Sequence, residues 1–308
     1  MKTYIPLLVL ILFLSGCNSD DNSEIITFQD RNFKELLVNR YDINNDGEIS
    51  RREALKVKEI DASGTSYNRE ITSIEGIEHF LNLTKLNISV NKLVTMDLSK
   101  NAKLKELFCF GNTLTSLDVS NNIKLKELSC YSNILTKLDV SKNILLETLF
   151  CNTNQISELD VTNNKNLKYF SCSYNHITNL DISKNTKLSK FFCNDNQLTN
   201  LDLSNNKNLL KLFCHNNMLT SIDVTNNKKL TAISSHANQY TEIDISNNIE
   251  LSELSCSYSH ITQLDVSNNP KLNRLLCRNN PELLTIYMGA NQKIDDLRKE
   301  SFVEIVHK

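Results

Sequence analysis

Residues 125–145, with the sequence LKELSCYSNILTKLDVSKNIL, are the unit from which most of this chain is built. The pattern L-x-x-L-x-C-x-x-N-x-L-T-x-L-D-V-S-x-N returns after every 21 residues. A fixed period of this length predicts a solenoid, in which each repeat buries its apolar side chains only by stacking on its neighbours. Ser235 is the one break in the series of cysteines, which recurs at Cys109, Cys130, Cys151, Cys172, Cys193, Cys214, Cys256 and Cys277.

The apolar positions of the unit predict a closed ring of inward side chains. Leu125, Leu128, Cys130, Leu135 and Val140 all recur at the same step. Stacked turns require such a ring, since each repeat packs only on its neighbours. We therefore expect an α/β repeat solenoid that is mostly strand and loop. Either the cysteine half or the Asp half of the repeat fits a strand, and we favour the cysteine half because its neighbouring positions vary.

Three polar positions also recur and form columns along the predicted stack. Two asparagine columns, represented by Asn133 and Asn143, are suited to pairing with backbone groups exposed where each turn bends. The third column consists of carboxylates, which would repel one another at about 4.8 Å. We expect hydrogen bonds from the neighbouring backbone, Ser or Thr, and favour this over a row of calcium sites, because each repeat offers one carboxylate. The column runs Asp97, Asp118, Asp139, Asp160, Asp181, Asp202, Asp223, Asp244 and Asp265.

The unit resembles the leucine-rich repeat, whose L-x-x-L-x-[LC]-x-x-N-x-L segment forms one short parallel strand per turn. Residues 71–77, ITSIEGI, look like the opening repeat of internalin-type arrays. The resemblance covers residues 59–288 and implies an N-terminal cap, which we place at 28–58. Residues 289–308 are expected to cap the other end.

The cysteines of the column are expected to be small buried hydrophobes. Side chains that project in parallel from adjacent strands have poor geometry for a disulfide, and a straight row cannot form a tetrahedral metal shell. Burial would also make free thiols tolerable in an exported protein.

A single calcium loop is predicted just before the array. Residues 42–53, DINNDGEISRRE, resemble the EF-hand loop, and the residues before them have the spacing of an apolar helix face. Calcium takes six to eight oxygen ligands, and a glycine such as Gly47 permits the sharp turn that directs them inward. One loop alone favours a structural ion that fixes the N-terminal cap. The ligand set implied is Asp42, Asn44, Asp46, Glu48 through its carbonyl, Ser50 through water, and Glu53.

The first residues predict export and lipid anchoring. Lys2 and an apolar stretch too short to span a membrane precede Leu14-Ser15-Gly16-Cys17. This resembles the lipobox of bacterial lipoproteins, which implies a signal peptide at 1–16 and acylation of Cys17. The acidic tether at 17–27 also looks like a signal for display on the outer face of the outer membrane. An ordinary signal peptide with an incidental cysteine is the alternative.

Outward positions of the predicted strands vary and are rich in aromatic residues. Exposed aromatic side chains are typical of protein recognition, although they would also shield one another along a stack without binding anything. The face turns from acidic at Glu106 and Glu127 to basic at Lys190 and Lys211. The predicted partner-binding residues are Phe108, Phe110, Tyr131, Phe150, Tyr169, Phe192, Phe213, His215 and His236.

Catalysis and nucleic-acid binding are not expected. The formal charge is -2, and the sequence has no Gly-rich phosphate loop and no nucleophile with a base at a fixed offset. His215 and His236 would lie on adjacent strands, but an evident third metal ligand is missing. We therefore expect a monomeric, lipid-anchored surface module that binds a protein partner through the repeat sheet. A glycan-binding accessory of polysaccharide uptake and an envelope spacer remain the alternatives.

Overall fold

The computed structural model describes residues 24–64 and 70–308, and these form a solenoid of short parallel strands. The predicted repeat solenoid, mostly strand and loop, is therefore confirmed. In chain order the strands are β1 (Glu59–Asp61), β2 (Lys85–Asn87), β3 (Glu106–Phe108), β4 (Glu127–Ser129), β5 (Thr148–Phe150), β6 (Tyr169–Ser171), β7 (Lys190–Phe192), β8 (Lys211–Phe213), β9 (Ala232–Ser234), β10 (Glu253–Ser255), β11 (Gln263–Asp265), β12 (Arg274–Leu276), β13 (Thr285–Met288), β14 (Asp296–Arg298) and β15 (Glu304–His307).

One long sheet runs the length of the solenoid. It has 12 strands, in the order β1 to β10 followed by β12 and β14. Pairing is in register with the repeat, since Leu107 faces Leu128 across β3 and β4. The strands lie in the cysteine half of the repeat, as favoured. The Asp half forms strands only at the C-terminal end, where β11, β13 and β15 make a three-stranded sheet.

The inward ring closes as the sequence predicts. Leu128, Cys130, Leu135 and Val140 are all fully buried. The eight cysteines of the column are free and buried. Burial raises the pKa of the Cys130 thiol to about 12, which keeps it protonated at neutral pH.

The two asparagine columns bind the backbone at the bends. The Nδ2 of Asn133 donates to the carbonyls of Cys109 and Cys130 at 3.1 and 3.0 Å, and its Oδ1 accepts from the Leu114 N–H at 3.0 Å. The Nδ2 of Asn143 donates to two further carbonyls. The Oδ1 atoms of this second column, from Asn101 to Asn269, are buried and have no hydrogen-bond partner.

The aspartate column is held by local hydrogen bonds, as expected. Oδ1 of Asp139 accepts from the N–H of Ser141 at 2.8 Å, and the same contact recurs at Asp97 and Asp181. Hydrogen bonds from Ser141 lower the pKa of Asp139, and Lys142 adds to the effect. The carboxylates are thus satisfied one repeat at a time.

An N-terminal helical segment packs on the first strand. Asp30 caps the N-terminus of helix α1 (Arg31–Tyr41), and its side chain accepts from the Phe33 N–H at 2.9 Å. Phe33 and Leu37 are fully buried and join the same core as the first repeats. Helix α2 is short (Arg51–Ala54), and a 3-10 helix (Ile77–His79) precedes β2.

The C-terminal segment continues the stack. β14 pairs with β12, and β15 pairs with β13, so residues 289–308 add strands to both sheets. None of the helices in the described part of the chain is long and apolar enough to cross a membrane.

Candidate interaction face

The outward side of the long sheet is the candidate site, and it carries all nine predicted face residues. Residues on either side of each buried leucine in the strands point outward, as the burial pattern of β3 shows. The positions vary from repeat to repeat while the inward ring stays nearly constant. The structure therefore separates a repeated frame from a variable surface.

The phenylalanines of this face are half-buried, whereas the sequence analysis treated them as exposed. Phe108, Phe150 and Phe192 alternate along the stack with Ser129 and Ser171, which are only 3% and 8% exposed. The large rings cover the small serines of the neighbouring repeats. Part of the aromatic surface thus protects the sheet itself, and the remainder is available for contact.

Ring pairs give the face its shape. Phe110 stacks on Tyr131 with ring centroids 4.4 Å apart, and Phe192 lies against Phe213 at 5.0 Å. Tyr169 is 39% exposed, and the ammonium of Lys190 lies 5.2 Å from the centre of its ring. These contacts hold the rings in place before any partner arrives.

The charge along the face changes as the sequence predicts. Lys85 pairs with Glu106 at 2.8 Å, which leaves Glu127 without an ion pair among the described residues. Burial, followed by the charge of Glu106, raises the pKa of Glu127. Lys190 and Lys211 lie farther along. A groove of about 430 Å³ at the acidic end is lined by Glu59, Ile60, Asp61, Lys85, Asn87, Phe108 and Phe110.

His215 and His236 form a stacked pair on neighbouring repeats. Their centroids are 4.3 Å apart with the planes inclined by 11°. The hydroxyl of Ser234 lies 3.1 and 3.2 Å from the two Nδ1 atoms, and Ser255 lies 3.2 Å from that of His236. Burial lowers the pKa of both imidazoles, and His236 further lowers that of His215. The pair is therefore neutral at pH 7.

A polar network next to this pair was missed by the sequence analysis. Asp195 lies 3.8 Å from the Nε2 of His215 and accepts hydrogen bonds from Asn194 and Asn216. Asp195 and Tyr174 occupy the left-handed position two residues after the cysteine, with φ near 54°. The sequence signal was that this position varies between repeats, since it also holds Gly111, Thr153 and Tyr258.

The predicted calcium loop adopts a tight turn. The carboxylate of Asp42 accepts from the N–H groups of Asn45 and Gly47 at 2.7 and 2.9 Å, and Gly47 has a φ of 82°. The side chains of Asn44 and Asp46 each cap an N–H two residues farther on. Ile49, the following apolar position, is fully buried (0% exposed). The turn is thus set by the residues that the sequence singled out.

The side chain of Glu53 folds back onto Ser50, the N-cap of helix α2. Its Oε1 accepts from the Ile43 N–H at 2.7 Å, and its Oε2 accepts from the N–H and hydroxyl of Ser50 at 2.8 Å. Burial acts to raise the pKa of Glu53, but these hydrogen bonds lower it below its ordinary value. Glu48 pairs with Lys34 through its side chain at 2.6 Å. In the described part of the chain, no three His, Cys, Asp or Glu side chains converge as a metal-binding group.

The oxygen donors of this loop still fit calcium. Asp42, Asn44, Asp46 and the carbonyl of Glu48 supply hard oxygen atoms, and nothing in the set favours a soft metal. Glu53 would have to exchange its present hydrogen bonds for the ion. Cys17, the predicted lipidation site, lies outside the described residues.

Several solved structures resemble this chain. The functional domain of InlJ from Listeria monocytogenes, which includes a cysteine ladder, is 31% identical over 90% of this chain and 70% of its own, with a TM-score of 0.72. The internalin InlF from the same organism is 21% identical over 85% and 82%, with a TM-score of 0.73. The ectodomain of the Arabidopsis thaliana receptor kinase GASSHO1/SCHENGEN3, in complex with Casparian strip integrity factor 2, is 18% identical over 78% and 36%, with a TM-score of 0.60. No protein-family model and no curated protein matches.

Proposed function

Because the chain belongs to the internalin-type family of leucine-rich repeat proteins, we propose that it binds a protein partner through the outward side of its long sheet. One observation carries this proposal. Preformed aromatic pairs such as Phe110–Tyr131 and Phe192–Phe213 lie at variable positions of an otherwise repeated frame. Rings that are held in place lose little entropy on binding, and such rings are the usual anchors of protein interfaces.

The constant and variable positions of the repeat support this division of labour. Asparagines such as Asn133 bind backbone carbonyls, and the repeated leucines and cysteines pack in the core. The outward positions are not restricted to one residue type in this way, since Phe192 in one repeat is Ser171 in the one before. The solved plant receptor ectodomain in complex with its partner is a precedent for partner binding by a repeat solenoid.

Binding by a matched set of variants tests the proposal. The full chain carrying Cys17→Ser is tested against a panel of surface-protein ectodomains and against a glycan array. We expect a protein hit, weakened about tenfold or more by F192S/F213S. I144S/I249S is the matched control, because these apolar side chains are both 55% exposed but lie outside the strands.

The alternatives predict other patterns. Glycan binding without protein binding would assign the aromatic rings to sugars. No binding on either panel would favour a structural spacer, and equal loss in the control pair would mean that the double substitutions act through the fold. Thermal melting of each variant separates that last outcome from the others.

We also propose that the chain is held at the outer face of a bacterial outer membrane by acyl chains on Cys17. The support is the Leu14-Ser15-Gly16-Cys17 motif and the polar, acidic residues that follow it. Two or more acyl chains give stable anchoring where one does not. In cell fractionation, the wild-type chain is expected in membranes and C17S in soluble fractions. Protease added to intact cells should then digest the wild-type chain, and full protection would contradict surface display.

Finally, we propose that one calcium ion is bound by the loop at residues 42–53. Asp42, Asn44, Asp46, Glu48, Ser50 and Glu53 would hold it. The ion would neutralise these carboxylates and fix the loop between α1 and α2. Since α1 packs on the core at Phe33 and Leu37, a fixed loop would stabilise the first repeats.

A further inference from the structure

The network around Asp195 is the most highly organised polar group on the outward face. Its carboxylate accepts from the Nδ2 of Asn216 on Oδ1 and from that of Asn194 on Oδ2, both at 2.7 Å. Asn194 is itself buried and accepts on Oδ1 from the hydroxyl of Ser173 at 2.6 Å. Three consecutive repeats therefore contribute to the position of one carboxylate.

This carboxylate is not neutralised by the protein. Within residues 24–64 and 70–308, no Lys or Arg lies within ion-pair distance of Asp195, and its charged neighbour at 3.8 Å would be a protonated His215. Burial keeps the pKa of His215 low, so that ring is uncharged at pH 7.

Rings lie on two sides of the carboxylate. Tyr174, one repeat before Asp195, is 56% exposed, and its pKa is raised first by the charge of Asp195 and also by a hydrogen bond to that carboxylate. On the other side, the stacked rings of His215 and His236 follow Phe213, whose centroid is 6.4 Å from that of His215. The carboxylate thus lies between an exposed phenol and a stack of neutral imidazoles.

The fold does not dictate which residue occupies this left-handed position. It is Tyr174 and Asp195 here but Val90, Gly111 and Tyr258 in other repeats, all with φ between 54° and 65°. Asp195 differs from these because side chains of three repeats orient its carboxylate. An oriented carboxylate beside an exposed ring points to a ligand.

We propose that this network, made of Tyr174, Asn194, Asp195, His215, Asn216 and His236, binds an arginine side chain of the protein partner. The inference rests on the proposed function and deepens it. A guanidinium donates two parallel N–H groups to a carboxylate and stacks on flat rings, which an ammonium does less well. A neutral sugar is less suited, because it carries no positive charge to match a carboxylate that no Lys or Arg among the described residues neutralises.

A small-molecule titration tests the proposal directly. The full chain carrying Cys17→Ser is titrated at pH 7.5 and low salt with Nα-acetyl-arginine amide, and binding is followed by NMR chemical shifts. The matched neutral probe is Nα-acetyl-citrulline amide, which has the same shape without the charge. We expect the arginine probe to bind at least about tenfold more tightly, since every 1.4 kcal/mol corresponds to tenfold.

Variants assign the binding to these residues. D195N should abolish the preference for arginine over citrulline, and asparagine tolerates the left-handed backbone, so the variant is expected to fold. Y174A should weaken the arginine probe about threefold. E253Q, an exposed carboxylate on the same face, should change nothing.

Other outcomes overturn the inference. Equal binding of both probes would show that the site does not recognise the positive charge of arginine. An unchanged preference in a folded D195N would show that Asp195 is not the group that recognises it. Binding of methyl glucoside in place of either probe would assign the network to a sugar. Each of these results leaves the ectodomain panel and the F192S/F213S comparison untouched, so failure here is distinguishable from failure of the proposed function.

Discussion

The hydroxyl oxygens of Ser235 and Tyr240 lie 2.7 Å apart in the interior of the solenoid. Ser235 interrupts the cysteine column, and Tyr240 occupies a position that is leucine in repeats such as that of Leu219. Tyr240 is fully buried (0% exposed), and Ser259, which replaces an asparagine of the first column, also lies within hydrogen-bonding reach of its hydroxyl. The three departures from the repeat therefore compensate one another. The hydroxyls of Ser235 and Ser259 provide hydrogen-bond partners for the buried hydroxyl of Tyr240.

This coupling predicts non-additive stability. Y240L should cost about 1 to 3 kcal/mol of unfolding free energy, because the buried hydroxyl of Ser235 loses its short partner. S235C should cost about 1 to 2 kcal/mol through the lost hydrogen bond and the larger sulfur. The double variant S235C/Y240L restores the regular residues at these two positions and should be more stable than the sum of its single changes predicts. Urea unfolding of all four proteins measures this, and strict additivity would show that the two positions are independent.

The asparagine columns should be worth more than any surface hydrogen bond. The Nδ2 of Asn164 donates to the carbonyls of Val140 and Asn143, both at 2.9 Å and fully buried. Asn164→Ala leaves these carbonyls unpaired and is expected to cost about 2 to 3 kcal/mol in urea unfolding. Asn166 is the matched control from the same repeat, because both of its hydrogen bonds are exposed: Nδ2 donates to the Ile144 carbonyl at 3.1 Å, and Oδ1 accepts from the Lys187 ammonium at 2.7 Å. Asn166→Ala should cost less than about 0.5 kcal/mol, and similar losses at both positions would contradict a special role of the column.

The buried thiols should be inert in the folded chain. Burial raises the pKa of both Cys130 and Cys214 to about 12, and the thiolate is the reactive form. At pH 8 a thiol reagent such as DTNB is therefore expected to label none of the eight column cysteines within minutes. All eight should react after unfolding in urea. Carrying Cys17→Ser removes the remaining thiol, and rapid labelling of the native variant would show that the column opens or is exposed.

The histidine pair predicts a loss of stability in mild acid. Burial lowers the pKa of His215 and His236 below the ordinary 6.5, so the unfolded chain binds protons at a pH where the folded chain does not. The contribution of the neutral pair to the free energy of unfolding is therefore fully present above pH 6.5. It is lost as the pH falls toward the lowered pKa values of the two folded-state histidines. Asp195 is the one carboxylate that faces the pair within 4 Å among the described residues, while Phe213, Ser234 and Ser255 are uncharged.

Replacement of the second ring isolates this effect. His236→Gln removes one titrating group and the charge that lowers the pKa of His215. The difference in unfolding free energy between pH 7.5 and pH 5.5 should shrink in this variant. His260→Gln serves as the control, because His260 is exposed and lies outside the stacked pair. An unchanged difference in His236→Gln would mean that the acid sensitivity comes from other groups.

The buried ring and the polar columns of this molecule can be predicted well from the sequence, because each repeat packs against copies of itself. A column such as that of Cys130 or Asn133 must stack on copies of itself, so a period of 21 residues determines register, strand direction and burial together. The partner face is less accessible to such reasoning. Half-burial of Phe150 depends on serines one repeat away on each side, and the aim of Asp195 depends on the left-handed turn that carries it.

Local exceptions are hardest to foresee. Phe170 and Phe191 replace leucines of the inward ring and stack at 5.4 Å, although sequence alone does not show that two enlarged neighbours fit together. Both are fully buried, so the interior holds two larger side chains in adjacent repeats. Compensation of this kind is settled by packing between repeats and not by the residues of either repeat alone.

Removal of calcium should loosen the N-terminal end of the solenoid without unfolding the middle. The proposed ion neutralises Asp42 and Asp46 and recruits Glu53, and the loop joins α1 to α2 next to the first strand. We expect EGTA to lower the melting temperature and to speed hydrogen exchange in α1, while β5 to β8 stay protected. Asp46→Asn should reproduce the effect of EGTA, and Asp61→Asn, an exposed carboxylate of β1 outside the loop, should not. The same melting and exchange with and without EGTA would show that the hydrogen bonds of Asp42 and Glu53 hold this loop without a metal.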